Sequence, residues 1–484
     1  MTAPDKRPTP TLPAMDAMRR VHIVGLCGTA MGTLGAMFAE RGWRVTGSDA
    51  GAYPPMSTWL EARGLRVLEG YDTAHVPDDV DLVVMGNVAR RDNPESVAAF
   101  ARGVPVISLP EALRLFFVNG RQGLVVTGTH GKTTTSSMAA WMLHEAGRDP
   151  SFFIGGVTGN FGSNYRLGDG DAFVVEGDEY DTAWFDKVPK FWHYPAAHAT
   201  INNVEFDHAD IYPDLDAYTH VFRRFAEQVP AGGTLWVNGD DPLAMDVSAS
   251  TAATRRTFGL GTQHDLGAEL LGDTGVGTRV RVFAGGDVVD ERVLPVLGTY
   301  NVRNVLGAAG LVGGLGVPLD VALDAVDGFV PVQKRQQVKG VAAGVTVIDD
   351  FAHHPTAVRL TVEALRRRYP DGRLFVAFEI KSNTSRRAVF QHDYPAAFAA
   401  ADVVVIGKPW RKDNLPPDQL LSVDRLVDDI RALGPRVELI PEVDDIVAWL
   451  TNEVQAGDVV AGLAGSSFGG LHDKLLDTLG GRDD

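Results

Sequence analysis

From Val125 to Thr135 the chain reads V-V-T-G-T-H-G-K-T-T-T. An apolar strand (Leu124, Val125, Val126) runs into a glycine-bearing turn, a lysine and hydroxyl residues, then a helix-like run from Ser136 to Glu145. That order makes a phosphate cradle. Gly128 and Gly131 let backbone N–H groups converge on phosphate oxygens, Lys132 can neutralise β/γ charge, and Thr133 can offer its hydroxyl to Mg2+. Thr129, His130 and Thr134 belong to the same candidate ATP-binding turn. The loop is tighter than the general pattern G-x-x-x-x-G-K-[ST], whose first glycine would fall on Val126. A chance G-K-T is the bland reading, and the strand before it and helix after it argue against chance.

The 484 residues, 45% of them apolar, allow about three domains with buried cores. Lys and Arg number 45 against 62 Asp and Glu, a net charge of −17, which argues against a nucleic-acid or anionic-membrane partner. One cysteine, Cys27, forbids an internal disulfide and fits a reducing compartment. The opening residues are proline-rich and lack the apolar core of a signal peptide, and no window approaches about eighteen uninterrupted apolar residues. The expectation is a soluble cytoplasmic protein with a flexible tail over residues 1–20.

Short apolar runs alternate with helical stretches, which predicts an α/β fold with largely parallel sheets. Three blocks separate, at 21–120, 121–331 and 332–484. Expected strands are Val21 to Val24, Arg44 to Gly47, Leu82 to Met85 and Val104 to Ile107 in the first block. The second carries Ala172 to Glu176, Ala199 to Asn203 and Thr234 to Val237, then a less regular region from about Gly259 to Leu297. The third holds Val345 to Ile348, Leu374 to Phe378, Val403 to Ile406 and Val459 to Leu463.

The first block has its own glycine-rich turn, with Gly25, Gly28 and Gly32. A dinucleotide fingerprint needs glycines at 25, 27 and 30, where Cys27 and Ala30 stand in the last two places, so an NAD reading is weakened. Ser48 and Asp49 end the next strand, where an acidic residue commonly meets a ribose. A UDP-sugar would use the same helix N-terminus, with Thr29 and Asn87 in the candidate set; glycines required only for strand-to-helix packing are the alternative.

After the cradle, F-V-V-E-G-D-E-Y-D delivers Glu176, Asp178, Glu179 and Asp181, and I-N-N-V-E-F-D-H-A-D delivers Asn202, Asn203, Glu205, Asp207, His208 and Asp210. In a parallel sheet such strand ends lie beside the phosphate loop. Mg2+ prefers oxygen and tolerates an occasional imidazole, which makes Glu176 and His208 the best ligands beside Thr133. A solvated acidic loop is the competing reading of the first segment. Further on, Asn301 and Asn304 can meet an adenine edge, Arg335 can face a γ-phosphate, and Asp349 or Asp350 can hold a ribose or an ordered water. A helix cap and a loop ending would explain the asparagines and His353 to Pro355 equally well.

Taken in order, G-T-H-G-K-T-T-T, E-G-D-E-Y-D, N-N-V-E-F-D-H-A-D, G-T-Y-N-V-R-N and D-D-F-A-H-H-P-T resemble the Mur ligases of bacterial cell-wall synthesis, over His22 to Leu476. Within that family Y-D-T-A-W-F-D-K at 180–187, K-F-W-H-Y at 190–194 and S-N-T at 382–384 look most like the recycling branch. That branch joins UDP-N-acetylmuramate to L-alanyl-γ-D-glutamyl-meso-diaminopimelate; the alanine-adding branch typically has a serine where Tyr180 stands. The resemblance implies an N-terminal Rossmann-like domain for the UDP-sugar, a central P-loop ATPase-like domain and a C-terminal Rossmann-like domain for the peptide. ATP would phosphorylate the muramoyl carboxylate, and the peptide amine would then attack the acyl phosphate.

The resemblance assigns the chemistry to Lys132, Glu176, His208 and Arg335, with Mg2+ on Thr133, Glu176 and His208. It assigns the peptide to His353, Lys381, Asn383, Thr384 and Arg387. Many members carry a carbamylated lysine, but no lysine stands between Lys190 and Lys334, so a His208-based metal site is expected. Tyr300 replaces a usual histidine, Ile380 and Lys381 replace a Pro-Arg pair, and A-G-S-S-F-G-G at 464–470 stands in place of an asparagine-glycine version. A monomer or weak homo-oligomer is expected. The alanine-adding ligase, and a nucleotide-gated binding protein without turnover, are the alternatives.

Overall fold

The computed structural model describes residues 15–409 and 416–481. Residues 1–14 of the expected tail lie outside the described residues. The architecture is α/β, in three sheets. The first contains β1 (Arg20–Val24), β2 (Arg44–Asp49), β3 (Val67–Glu69), β4 (Leu82–Met85) and β5 (Val106–Ser108), all parallel in the order β3-β2-β1-β4-β5. Strand order reverses between β1 and β4, which opens a ligand crevice at their carboxyl ends. The Gly25 turn follows β1 and Asn87 follows β4, so both face that crevice.

The second sheet contains β6 (Gln122–Thr127), β7 (Ser151–Phe153), β8 (Tyr165–Arg166), β9 (Ala172–Glu176), β10 (His198–Ile201), β11 (Thr234–Asn238), β12 (Thr254–Leu260), β13 (Leu266–Thr274), β14 (Gly277–Ala284) and β15 (Asp287–Leu294). Its order is β15-β14-β13-β12-β11-β10-β6-β9-β7-β8. β6 therefore lies between β9 and β10, parallel to both, and the loops after all three meet at one edge. The third sheet contains β16 (Gln337–Ala342), β17 (Val345–Asp350), β18 (Leu374–Phe378), β19 (Val403–Ile406), β20 (Arg436–Leu439) and β21 (Val459–Leu463), in the order β16-β17-β21-β18-β19-β20. Only its edge strand β16 runs antiparallel to its neighbour. The helices that shape the site are α1 (Thr29–Glu40), α2 (Lys132–Glu145), α3 (Thr299–Gly313) and α4 (Pro355–Arg368).

Strands covered by helices on both faces read as unbroken apolar runs. That explains why β4, β9, β18, β19 and β21 begin and end where the sequence places them: every side chain of these five strands but β19's Val403, at 6% exposure, is within 1% of full burial or, in Glu176, turns to the loop edge at 9%. The region from Gly259 to Leu297 is not irregular, however. It is largely a meander, β13 to β15, with antiparallel pairing throughout. Val280 and Val282 are buried while Arg279 and Arg281 point outward to Glu291 and Glu269. Charges on the open face and glycines at the turns mask this alternation, which is the expected pattern for a sheet with one face in water.

Candidate active site

The cradle begins where β6 ends. Gly131 caps α2 with φ +81°, and a Cβ there would meet Asn304 Oδ1 at 2.4 Å, so only glycine fits both the turn and its neighbour. The first-turn amides of α2 then point at the place a phosphate would occupy. Lys132 is 9% exposed, and its Nζ donates to Gly128 O (2.7 Å), Thr129 O (3.1 Å) and Glu179 Oε2 (2.8 Å). A hydrogen-bond relay fixes the far side: Asn202 Nδ2 donates to Thr135 Oγ1, which donates to Asn304 Oδ1, whose amide donates to Asn301 Oδ1. Asn301 donates in turn to Leu297 O, so both asparagines predicted for adenine brace α3 against the cradle.

Two other expected ATP contacts have side chains turned elsewhere. The Thr129 hydroxyl bonds Glu205 O and Tyr218. His130 Nε2 meets Glu205 Oε2 at 2.8 Å, leaving its backbone, held by Asn203, on the cradle. The Thr134 side chain is half-buried on α2.

β9 delivers Glu176 as expected. Its Oε1 accepts from Thr133 Oγ1 (2.8 Å) and its Oε2 from Gly155 N (2.7 Å). Burial and the neighbouring Asp178 push the Glu176 carboxyl above its ordinary range, a penalty that a divalent cation would relieve. Adjacent carboxylate and hydroxyl oxygens suit Mg2+, so Thr133 and Glu176 fit such an ion. His208 is placed differently from expectation. Its Nε2 lies 3.0 Å from Glu179 Oε1, and although burial lowers its pKa, Glu179 and Asp207 outweigh this and raise it to about 9. In this arrangement His208 is the partner of Glu179, which stands between it and Lys132.

Glu179, 1% exposed, thus sits between the cations of Lys132 and His208. Burial raises its pKa, but those two charges prevail and hold the carboxyl below its ordinary value. Sequence reasoning placed Glu179 at the strand end without giving it a role; its place three residues after Glu176 was the available signal. His208 adopts φ +52°, an uncommon backbone for a non-glycine residue and one typical of sites held by their surroundings.

The third domain closes over this edge. Arg335 Nη2 reaches Thr133 Oγ1 at 3.4 Å, with its guanidinium 4.8 Å from the centre of the Phe351 ring. Positive φ at both Lys334 and Gln336 aims it, and Asp350 secures the turn by accepting from Gln336 N and Ala352 N. Asp350 is therefore spent on backbone and does not offer a ribose contact. Asp349 Oδ1 makes no hydrogen bond among the described residues, and it faces the buried His472, whose Nε2 lies 3.7 Å away. Tyr300, in the usual histidine position, binds Gln336 through its hydroxyl and so belongs to the same turn.

A polar seam continues outward: Thr356 and His130 bond the two oxygens of Glu205, His354 Nε2 donates to Phe206 O, and Thr384 donates to Asp207 (2.6 Å). Asn383 donates to Asp210 (2.9 Å). Thr384 is 2% exposed and so does not present its hydroxyl to a peptide; it and Asn383 join domains. His130, Glu205 and His354 lie within 4.8 Å of one another, the spacing of metal ligands. Each is already committed to a hydrogen bond, and His354 Nδ1 also caps α4 by accepting from Thr356 N, so the trio reads as a clasp. Of the remaining peptide candidates, His353 Nδ1 bonds Phe351 O, and Arg387 is half-buried beside Leu420. Lys381 Nζ donates to Ser466 Oγ (3.2 Å), which donates to Glu379. The departure at Lys381 therefore touches the A-G-S-S-F-G-G run.

On the opposite side the first domain meets the same edge. Gly25 N and Leu26 N donate to Ser48 O, and Asp49 Oδ2 accepts from Cys27 N (2.9 Å), which folds the glycine turn onto β2. Ser48 is fully buried with its hydroxyl on Glu95, so it supports the turn and is not a ligand contact. Gly32 lies inside α1, where a Cβ would crowd Met56 and Leu26, and its glycine is a packing requirement. Gly28, Thr29 and Asn87 keep the positions expected of them, at the N-terminus of α1 and after β4. Asp186, from the 180–187 run, accepts from Ser108 Oγ across the domain boundary (2.5 Å) and pairs with His193. A cavity of about 180 Å3 remains between the domains, lined by Thr29 and Ala30 on one side and by Glu176, Asp178, Tyr180 and Lys190 on the other.

Comparison with known proteins covers these three units in turn. Residues 20–119 match the Mur ligase family catalytic domain, 126–312 the Mur ligase middle domain and 334–466 the Mur ligase glutamate ligase domain. UDP-N-acetylmuramate--L-alanyl-gamma-D-glutamyl-meso-2,6-diaminoheptandioate ligases of Haemophilus influenzae and Escherichia coli are 36% and 37% identical, over 96% and 95% of this chain and 99% and 98% of theirs. UDP-N-acetylmuramate--L-alanine ligases match over similar lengths at 32–36% identity. The crystal structure of a murein peptide ligase from Psychrobacter arcticus superposes with a TM-score of 0.72 at 31% identity, covering 96% of this chain and 99% of that one. With its three units matched in order and near full-length relatives at this identity, the chain belongs to the Mur ligase family.

Proposed function

We propose that this chain is an ATP-dependent amide ligase that joins UDP-N-acetylmuramate to L-alanyl-γ-D-glutamyl-meso-diaminopimelate through an acyl phosphate, in peptidoglycan recycling. The observation that carries the reading is the meeting of three domains at one loop. Arg335 of the third contacts Thr133, while Thr29 and Ala30 of the first line the cavity that Glu176 lines from the second. The full-length sequence likeness to peptide-adding ligases supports the tripeptide over L-alanine as acceptor.

In this reading the α2 N-terminus and Lys132 hold the β- and γ-phosphates, and Arg335 faces the γ-phosphate from the third domain. A Mg2+ ion on Thr133 and Glu176 would supply charge neutralisation between triphosphate and carboxylate. The need is physical: two unit charges about 4 Å apart repel by about 4 kcal/mol at an effective dielectric near 20. The carboxylate attacks the γ-phosphorus, the bond to the bridging oxygen breaks and ADP leaves. The peptide amine then adds to the acyl carbon, and phosphate departs carrying the proton that the amine nitrogen loses. Positioning and charge stabilisation account for most of the rate in such chemistry.

The deciding assay supplies ATP, Mg2+ and UDP-N-acetylmuramate with either the tripeptide or L-alanine, and reads phosphate release and product mass. Product with the tripeptide is expected. Product with L-alanine alone would overturn the acceptor assignment, and no ADP with any amine would favour a binding protein.

A further inference from the structure

The cavity between the first and second domains contains a cation to which the roles above assign nothing. Lys190 opens a short turn, Lys190–His193, and is 7% exposed. Its backbone N–H donates to Tyr180 O, so the 180–190 loop closes on itself and fixes where the side chain starts. Nζ donates to Asp178 Oδ2 at 2.9 Å and stands 4.0 Å from the centre of the Tyr180 ring. An ammonium has three donors; Asp178 takes one, the ring face draws the charge by its quadrupole, and the cavity wall that Lys190 forms leaves donor capacity for a ligand.

The other cations near this edge are committed. Lys132 is bound by two cradle carbonyls and Glu179, and Arg335 approaches Thr133 from the third domain. Lys190 is the cation on the wall that faces Thr29 and Ala30. The cavity that these residues share with Glu176 is where a carboxylate from the sugar-nucleotide side would approach the phosphate loop. There Lys190 is the cation among the lining residues, beside the Mg2+ that Thr133 and Glu176 would hold.

We propose that Lys190 seats the lactyl carboxylate of the muramoyl group, and so makes the site prefer an N-acetylmuramoyl nucleotide to its N-acetylglucosaminyl counterpart. The proposal rests on the ligase reading and adds to it the residue that recognises the acid. Tyr180 serves by holding the ammonium on its face, and Asp178 by orienting it, which gives the Y-D-T-A-W-F-D-K and K-F-W-H-Y runs one shared purpose.

The test compares UDP-N-acetylmuramate with UDP-N-acetylglucosamine, which lacks only the lactyl acid, by calorimetric titration with Mg2+ and a non-hydrolysable ATP analogue present. The wild type should prefer the muramate. Lys190→Met should weaken UDP-N-acetylmuramate by about 10- to 100-fold, the range for losing a hydrogen bond to a charged group. Binding of UDP-N-acetylglucosamine and of the analogue should stay unchanged, which also shows that the variant folds, and Lys190→Arg should recover part of the preference. Because Lys190→Met leaves Asp178 unpaired, the double change with Asp178→Asn is measured beside it and should show the same lost preference. A folded Lys190→Met or double variant that keeps the wild-type preference overturns the proposal, as does equal weakening of both nucleotides. A wild type that ligates the muramate yet binds both nucleotides equally overturns it while the ligase reading survives. A wild type that binds neither refutes the ligase reading itself.

Discussion

Replacing Glu179 with alanine should destabilise the ligand-free protein far more than its small size suggests. The carboxylate is 1% exposed and accepts from Lys132 Nζ at 2.8 Å and His208 Nε2 at 3.0 Å. Removing it leaves a buried ammonium with only the Gly128 and Thr129 carbonyls, and an imidazolium without its counter-ion. Breaking one partner of a buried pair costs about 3–5 kcal/mol. In a domain of about 150–250 residues each kcal/mol lowers Tm by about 2–4 °C, so the central domain should melt about 6–20 °C lower. Glu179→Gln keeps an acceptor oxygen and should fall between alanine and wild type. Saturating Mg·ATP should narrow the gap, since triphosphate oxygens replace the carboxylate beside Lys132; ligand at 100 times Kd already contributes about 2.7 kcal/mol. Scanning calorimetry with and without nucleotide measures both effects. Melting of Glu179→Ala within about 2 °C of wild type, or a gap that nucleotide leaves unchanged, would refute the reasoning.

Lys132→Ala should abolish ligation while UDP-sugar binding survives, because the cradle and the Gly25 turn belong to different domains; equal loss of both in a folded protein would refute that separation. The clasp should make stability acid-sensitive: burial, then His130, lower the His354 pKa from 6.5 to about 4, so the fold favours neutral imidazole. That contribution is complete above the unfolded value and is lost as pH falls toward about 4, costing about 1.6 kcal/mol between pH 6.5 and pH 5 by linkage. Denaturant curves of His354→Gln should depend less on pH over that window, and curves parallel to wild type would show that another group titrates. Asp186→Ala should cost about 1–3 kcal/mol by leaving Ser108 and His193 without their shared acceptor, read as a lower unfolding midpoint. An unchanged midpoint would mean that the 180–187 run does not secure the first domain.

The parts of the fold visible in the sequence are those whose signal is local. β4, β9, β18, β19 and β21 are buried on both faces, and their apolar runs need no partner to be recognised. The short or half-exposed edges β3, β16 and β20 carry a mixed pattern that only pairing resolves. The meander β13–β15 looked irregular because its open face is charged, and its ion pairs appear only when strands lie side by side.

The site divides the same way. The turn from Gly128 to Thr133 and the arrival of Glu176 beside it follow from motif spacing and from strand ends that a parallel sheet gathers at one edge, and the family resemblance added Arg335. Sequence alone determined that a phosphate cradle, an oxygen-rich strand end and a distant arginine belong to one family of three-domain ligases. Tertiary structure alone decided which group faces which. It set His208 on Glu179, spent Ser48, Asp350 and Thr384 on neighbouring segments, and placed Lys190 at the wall of the cavity. The reason is that a carboxylate in a buried edge binds whichever cation the packing of three domains brings within hydrogen-bond reach, and that distance is written in no stretch of chain.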